Sequence, residues 1–177
     1  MSTRFTAVQR FGADARATFA MLRDPAYVTA KGKASGATST TPEVREEGDG
    51  VVVVSRRSMP TTDAPSLVQR FIGPTVDIVE TQTWSAAGPD GSRTASVHAT
   101  FGSAPASMTG TATLADDDDG GCTLTAAAEV TSSIPFAGRK VEELVRDQVL
   151  RYLRKEETVA RTWLTASPGG PDGDHHS

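Results

Sequence analysis

The stretch from Ile134 to Leu164, IPFAGRKVEELVRDQVLRYLRKEETVARTWL, decides how the rest of the chain must fold. Val141, Leu144, Val145, Val149, Tyr152, Leu153, Val159, Ala160, Trp163 and Leu164 fall three or four residues apart, the spacing that lines one face of a helix. Pro135 suits the first helical position, where its missing N–H would have had no partner, and no proline follows it in the stretch. At 1.5 Å per residue, roughly thirty residues make a rod of about 45 Å, well beyond the usual three or four turns. A rod with one apolar face needs a broad apolar surface to lie on. Its other face carries Glu142 with Arg146, Asp147 with Arg151 and Glu157 with Arg161, i,i+4 pairs that read as a solvated surface.

The chain before the rod is patterned as that surface. From Pro42 onward the sequence reads as antiparallel β. Glu43 to Glu47 and Val51 to Met59 flank Gly48-Asp49-Gly50, and Val76 to Trp84 and Arg93 to Phe101 flank Gly88-Pro89-Asp90-Gly91. Both turn sequences supply the positive φ that a tight hairpin needs. Ser107 to Leu114 and Cys122 to Ser132 form a third pair around Asp116 to Asp119 and Gly120-Gly121. One long connection remains, where Pro60, Pro65, Gly73 and Pro74 bracket Leu67, Val68, Phe71 and Ile72, an apolar set at helical spacing that fits a short helix over an opening. Upstream, Thr3 to Phe11 alternates as a first strand and Gly12 ends it. Asp14 is placed to cap a helix with Ala17, Phe19, Ala20, Met21 and Leu22 on its apolar face, before Asp24-Pro25 breaks it and Ala26 to Ala30 adds a short second turn or helix. Lys31 to Thr41 reads as a connection or the start of a weak strand. After Ala166 no apolar residue remains, so residues 167–177 are expected to be a disordered tail and residues 1–166 one domain.

Strand, short helices, about six antiparallel strands and one long helix make an α+β domain in which a sheet must cover the helix. This order of elements, with Phe11, Ala13-Asp14 before Phe19, the stretch Met21 to Val28 and the closing helix, resembles the START-like, helix-grip superfamily. That group includes polyketide cyclase/dehydrases, birch-pollen-allergen-like proteins and lipid-transfer domains. Within it, Ile134 to Glu142 and Val159 to Leu164 resemble the bacterial family called domain of unknown function 2505. The resemblance covers about Ser2 to Ala166 and implies a curved antiparallel sheet wrapped around the C-terminal helix.

Composition narrows the partners. A net charge of −4 and a pI near 5.4 argue against a nucleic-acid partner, which usually demands a basic stripe. No apolar run approaches the roughly 20 residues that cross a bilayer. One cysteine, Cys122, allows no internal disulfide, and nothing at the N-terminus reads as a signal sequence, so a cytoplasmic location is expected. Aromatic content is only 6%, with alanine and threonine abundant instead. If Ala95, Val97, Ala99 and Phe101 face inward on one strand, and Leu124, Ala126, Ala128 and Val130 on another, the inner surface is largely methyl-sized. Such a sheet either lets the helix approach closely or leaves a cavity.

Candidate cavity residues are Phe19, Leu22, Tyr27, Val53, Ile78, Trp84, Phe101, Met108, Phe136, Val141, Leu144 and Val145, each of which also serves as plain core. Glu80 and Gln82 share a strand face with Val76, Ile78 and Trp84. Facing inward they would orient a ligand's polar group; a one-residue slip puts them in water. Arg56, Arg57 and Arg70 could set one guanidinium at the mouth to hold a carboxylate or phosphate, or simply confer solubility. Other chemistry finds little support. His98 lies on the polar face of its strand, and Cys122 follows two glycines at a strand start with no histidine near it in sequence. A calcium loop starting at Asp116 would need Glu where Ala127 stands. Neither a metal nor a cofactor is implied.

The leading expectation is therefore a non-catalytic protein holding a small or medium apolar molecule, such as a lipid, isoprenoid or polyketide, under the long helix. Rival readings are a cyclase or dehydratase using Glu80 or Tyr27, and an interaction protein whose cup is filled by its own side chains and whose Leu67 to Ile72 segment docks a partner. On the leading reading Leu144→Ala should alter binding, whereas Trp163→Ala should cost about 3–5 kcal/mol of stability if that ring is fully buried.

Overall fold

A computed structural model describes residues 2–166. The elements run β1 (Ser2–Phe11), α1 (Ala15–Leu22), α2 (Pro25–Ala34), β2 (Ser39–Glu47), β3 (Gly50–Pro60), α3 (Ser66–Ile72), β4 (Thr75–Trp84), β5 (Arg93–Phe101), β6 (Ala106–Asp116), β7 (Cys122–Ser132) and α4 (Gly138–Ala166). The expected disordered tail lies outside the described residues. All seven strands form one curved sheet in the order β1-β7-β6-β5-β4-β3-β2, every neighbouring pair antiparallel. The three expected hairpins are all present. At the first turn Gly48 takes φ 60° and at the third Gly120 takes φ 91°, conformations that side-chain-bearing residues rarely adopt. β2 begins earlier than expected and contains Pro42, which an edge strand tolerates because its outer side has no ladder to complete.

The sheet's inner face is built from small residues where it is central. Ala95 and Ala99 on β5 and Ala112 on β6 are buried, and Gly110 lies between Met108 and Ala112 on the same face. A Cβ at Gly110 would come 2.6 Å from the Ala127 carbonyl oxygen, so glycine is what permits the β6–β7 approach there. α4 lies along β1 and β7 and meets α2 toward its C-terminal half.

Two features of α4 depart from the expectation. It begins at Gly138, three residues after Pro135, because Phe136 takes φ 63° and turns the chain before the helix can start. Its buried residues also include two carboxylates, Glu142 at 0% exposure and Glu156 at 4%. Glu142 is thus not part of a solvated face; it accepts hydrogen bonds from the Thr3 hydroxyl (3.0 Å) and the Ser132 amide (3.3 Å). The surface ion pairs on this helix are instead Arg139 with Glu143 and Arg146 with Asp147.

Glu156 ties α4 to α2 and β1. Lys31 Nζ lies 2.6 Å from Glu156 Oε2, with both side chains 5% exposed, and Gln9 Nε2 donates to Glu156 Oε1 at 2.9 Å and to the Leu153 carbonyl at 3.0 Å. Lys31 belongs to α2, which runs to Ala34 rather than stopping at Ala30. Burial alone would lower the Lys31 pKa, but the Glu156 carboxylate, aided by Tyr152, Glu80 and Tyr27, outweighs it and leaves the pKa raised. The stability that Lys31 draws from its raised pKa is therefore present below the unfolded lysine value near 10.4 and is lost as pH climbs through the higher folded value. Two turns further along α4, the Tyr27 and Trp163 rings pack edge to face with centroids 5.6 Å apart.

Removing one partner of this buried pair strands the other charge. Lys31→Met is expected to cost about 3–5 kcal/mol in urea unfolding, and the double variant Lys31→Met/Glu156→Leu to recover most of that loss. Trp163 is only half-buried, so Trp163→Ala should cost less than the roughly 3–5 kcal/mol of a fully buried ring, about 2 kcal/mol in the same measurement.

Candidate functional site

The sheet and α4 do not meet everywhere. Between the end of β3, the start of β4, the end of β5 and the first half of α4 lies a cavity of about 400 Å³. Its floor is Met59, Val76, Ile78 and Phe101; its helical wall is Val141, Leu144, Val145 and Val149; Val68 and Ile72 of α3 close it from above. α3 is seven residues long with no side-chain cap at its start, and Gly73 ends it at φ 80°. Val68 is its one buried residue, whereas Leu67 and Phe71 are each 45% exposed. The roof is thus held by Val68, with Ile72 partly buried beside it, against Ile134, Ala137 and Val141.

The expected cavity residues divide into four groups. Ile78, Phe101, Val141, Leu144 and Val145 line the cavity. Leu22, Glu80, Trp84 and Met108 line a smaller neighbouring pocket of about 90 Å³. Phe19, Tyr27 and Val53 pack in the main core instead. Phe19 lies edge-on to Trp84 at 5.3 Å, with the Arg93 guanidinium 3.9 Å above its ring, and Tyr27 donates its hydroxyl to the Glu156 carbonyl at 3.4 Å. Burial raises the Tyr27 pKa, with Glu156 adding to the effect. Phe136 is fully exposed, because its left-handed turn throws the side chain outward from the helix start.

The register resolves the question of Glu80 and Gln82. Ser55 pairs with Glu80 and Arg57 with Ile78, and alternation puts Ile78, Glu80, Gln82 and Trp84 on the inner face. There the Trp84 indole N–H donates to Gln82 Oε1 (3.0 Å), and Gln82 Nε2 donates to Glu80 Oε1 (2.9 Å).

The same alternation separates the arginines. Arg56 and Arg70 are exposed, while Arg57 is 8% exposed and lines both the cavity and the smaller pocket. Its guanidinium stacks on the Tyr152 ring at 4.4 Å. Arg57 Nη1 and the Tyr152 hydroxyl are both buried without a hydrogen-bond partner, and burial raises the tyrosine's pKa. Sequence reasoning took Tyr152 for part of an apolar stripe; only the strand register opposite it reveals the pairing with Arg57.

Other polar groups have structural work. Cys122 is buried and donates to the Thr18 hydroxyl at 3.2 Å, and burial pushes its thiol pKa up. Asp116 accepts from the Ala15 amide (2.6 Å), and Asp119 from the Gly121 amide (3.0 Å), so these carboxylates hold a helix start and a turn. His98 is exposed on the outer face.

Known proteins share this architecture. Uncharacterized protein Rv0481c of Mycobacterium tuberculosis is 29% identical over 121 residues, 66% of this chain and 68% of its own length. The ZhuI aromatase/cyclase of Streptomyces sp. R1128 superposes with a TM-score of 0.59 at 15% identity, covering 97% of this chain and all of the other. Norcoclaurine synthase of Thalictrum flavum, solved in complex with dopamine and hydroxybenzaldehyde, gives a TM-score of 0.56 at 8% identity over 94% of this chain and 89% of its own. These likenesses establish a helix-grip fold. The family model described as "Protein of unknown function (DUF2505)" matches residues 6–164, and the chain belongs to that family.

Proposed function

We propose that this protein binds a small or medium hydrophobic molecule in the cavity between its sheet and α4. The observation that carries the reading is the cavity itself. Its volume of about 400 Å³ falls within the range of about 300–1,000 Å³ usual for ligand pockets, and its floor, helical wall and roof are aliphatic or aromatic. An apolar-walled space of this size is suited to holding a small molecule. Val68 is the one buried residue of this seven-residue roof, with Ile72 partly buried beside it, which makes α3 the natural point of entry. Structures with the same fold include one holding two small aromatic molecules. The proposal places the protein in the cytoplasm.

A cyclase or dehydratase use of the same space has one observation in its favour, the inward-facing Glu80 on the smaller pocket. Its other candidate, Tyr27, lies in the main core with its hydroxyl committed to the Glu156 carbonyl. A cup filled by its own side chains conflicts with the open volume above Ile78 and Phe101.

Native mass spectrometry of protein isolated from its own host tests the proposal; a bound apolar species should appear and disappear on denaturation. Uniformly empty protein that also fails to take up a neutral apolar probe would overturn it. Leu144→Trp, which fills the cavity from the helix side, should lower probe affinity at least about tenfold. Leu144→Ala should cost only about 1 kcal/mol in thermal unfolding, less than a fully packed leucine, because its side chain already borders open space.

A further inference from the structure

We infer that the occupant is an amphipathic acid, its carboxylate held by Arg57 and the Tyr152 hydroxyl while its apolar body lies against Ile78, Leu144 and Val145. This rests on the cavity being a ligand site and adds what kind of molecule fits. Arg57 is the central observation. A guanidinium carries five N–H donors, and burying one without a partner is costly. Arg57 is 8% exposed, Nη1 has no partner, and no carboxylate lies within ion-pair distance among the described residues. The other deeply buried cation, Lys31, is neutralised by Glu156. The Tyr152 hydroxyl, also unpartnered, belongs to the ring on which the guanidinium rests. Two unused donors sit together where the apolar cavity ends.

Charge on the cavity wall agrees. Arg57, Arg151 and Lys155 line it against one carboxylate, Asp63, in a chain whose net charge is −4. Neither Arg151 nor Lys155 forms an ion pair among the described residues. Glu80 shares the smaller pocket with Arg57 and Tyr152 but forms no ion pair with Arg57, and it accepts its hydrogen bond from Gln82. A planar guanidinium can grip both oxygens of a carboxylate, and the phenol can donate to one of them. An alcohol or ester of the same length would leave the arginine charge uncompensated.

Calorimetric titration of the full chain with decanoic acid and with 1-decanol at neutral pH separates the claims. The acid should bind roughly ten- to a hundredfold more tightly, the worth of a charge-assisted hydrogen bond. Arg57→Met, which keeps the apolar stem over Tyr152, should collapse that ratio toward one, and Tyr152→Phe should reduce it severalfold while disturbing packing least. Equal affinities in the unaltered protein, or a ratio indifferent to both substitutions, would overturn the inference and leave the hydrophobic-binding proposal standing. Binding of neither compound would overturn both.

Discussion

The structure depends on two carboxylates buried on one helix. α4 is the element that covers the inner face of the sheet, and it is fastened at Glu142, by Thr3 and Ser132, and at Glu156, by Lys31 and Gln9. These points lie fourteen residues apart, about 21 Å along the axis. Val141 apart, every α4 residue on the cavity lies between them: Leu144, Val145, Gln148, Val149, Arg151, Tyr152 and Lys155. Within that span Val145 and Val149 pack against the cluster of Ala99, Met108 and Val130 on the sheet, and the open volume lies beside them, over Met59, Ile78 and Phe101. Each anchor is kept as a partnered group because its carboxylate would be costly to bury alone.

The sheet contributes the complementary half. Small inner residues, Ala99, Gly110, Ala112 and Ala126 among them, face inward at the centre of the sheet, and Met59, Ile78 and Phe101 floor the cavity. The cavity sits toward one end, under α3, and the aromatic packing of Phe19, Tyr27, Trp84 and Trp163 fills the other. Arg57 and Tyr152 stand at the boundary between these regions, each lining both the cavity and the smaller pocket. A polar device at the edge of an apolar space can orient a ligand without interrupting the surface that holds its body.

Much of this was legible in the residues. Gly48-Asp49-Gly50, Gly88-Pro89-Asp90-Gly91 and Gly120-Gly121 marked three hairpins correctly because turn chemistry is local, and the spacing from Val141 to Leu164 marked α4 because its period is local too. The alternation that placed Ala95 and Ala99 inward also held. What escaped was set by distant contacts. Glu142 and Glu156 look like ordinary helix-surface charges until Lys31, 125 residues from Glu156, is brought beside it. Arg57 was indistinguishable from Arg56 until the register of β3 against β4 gave each a face. Phe136 failed differently: proline at the first helical position was a sound local rule, and an unforeseen positive φ overrode it.

The central claim is that an apolar space stays open between α4 and strands β3, β4 and β5, beside the sheet contacts of Val145 and Val149. A crystal structure determined under xenon pressure tests this most directly, since xenon enters dry apolar cavities and marks them with strong scattering. The account predicts xenon among Ile78, Phe101, Leu144 and Val145, with Glu142 and Glu156 still holding their partners. Leu144 packed directly against Ile78, with no xenon between them, would contradict it.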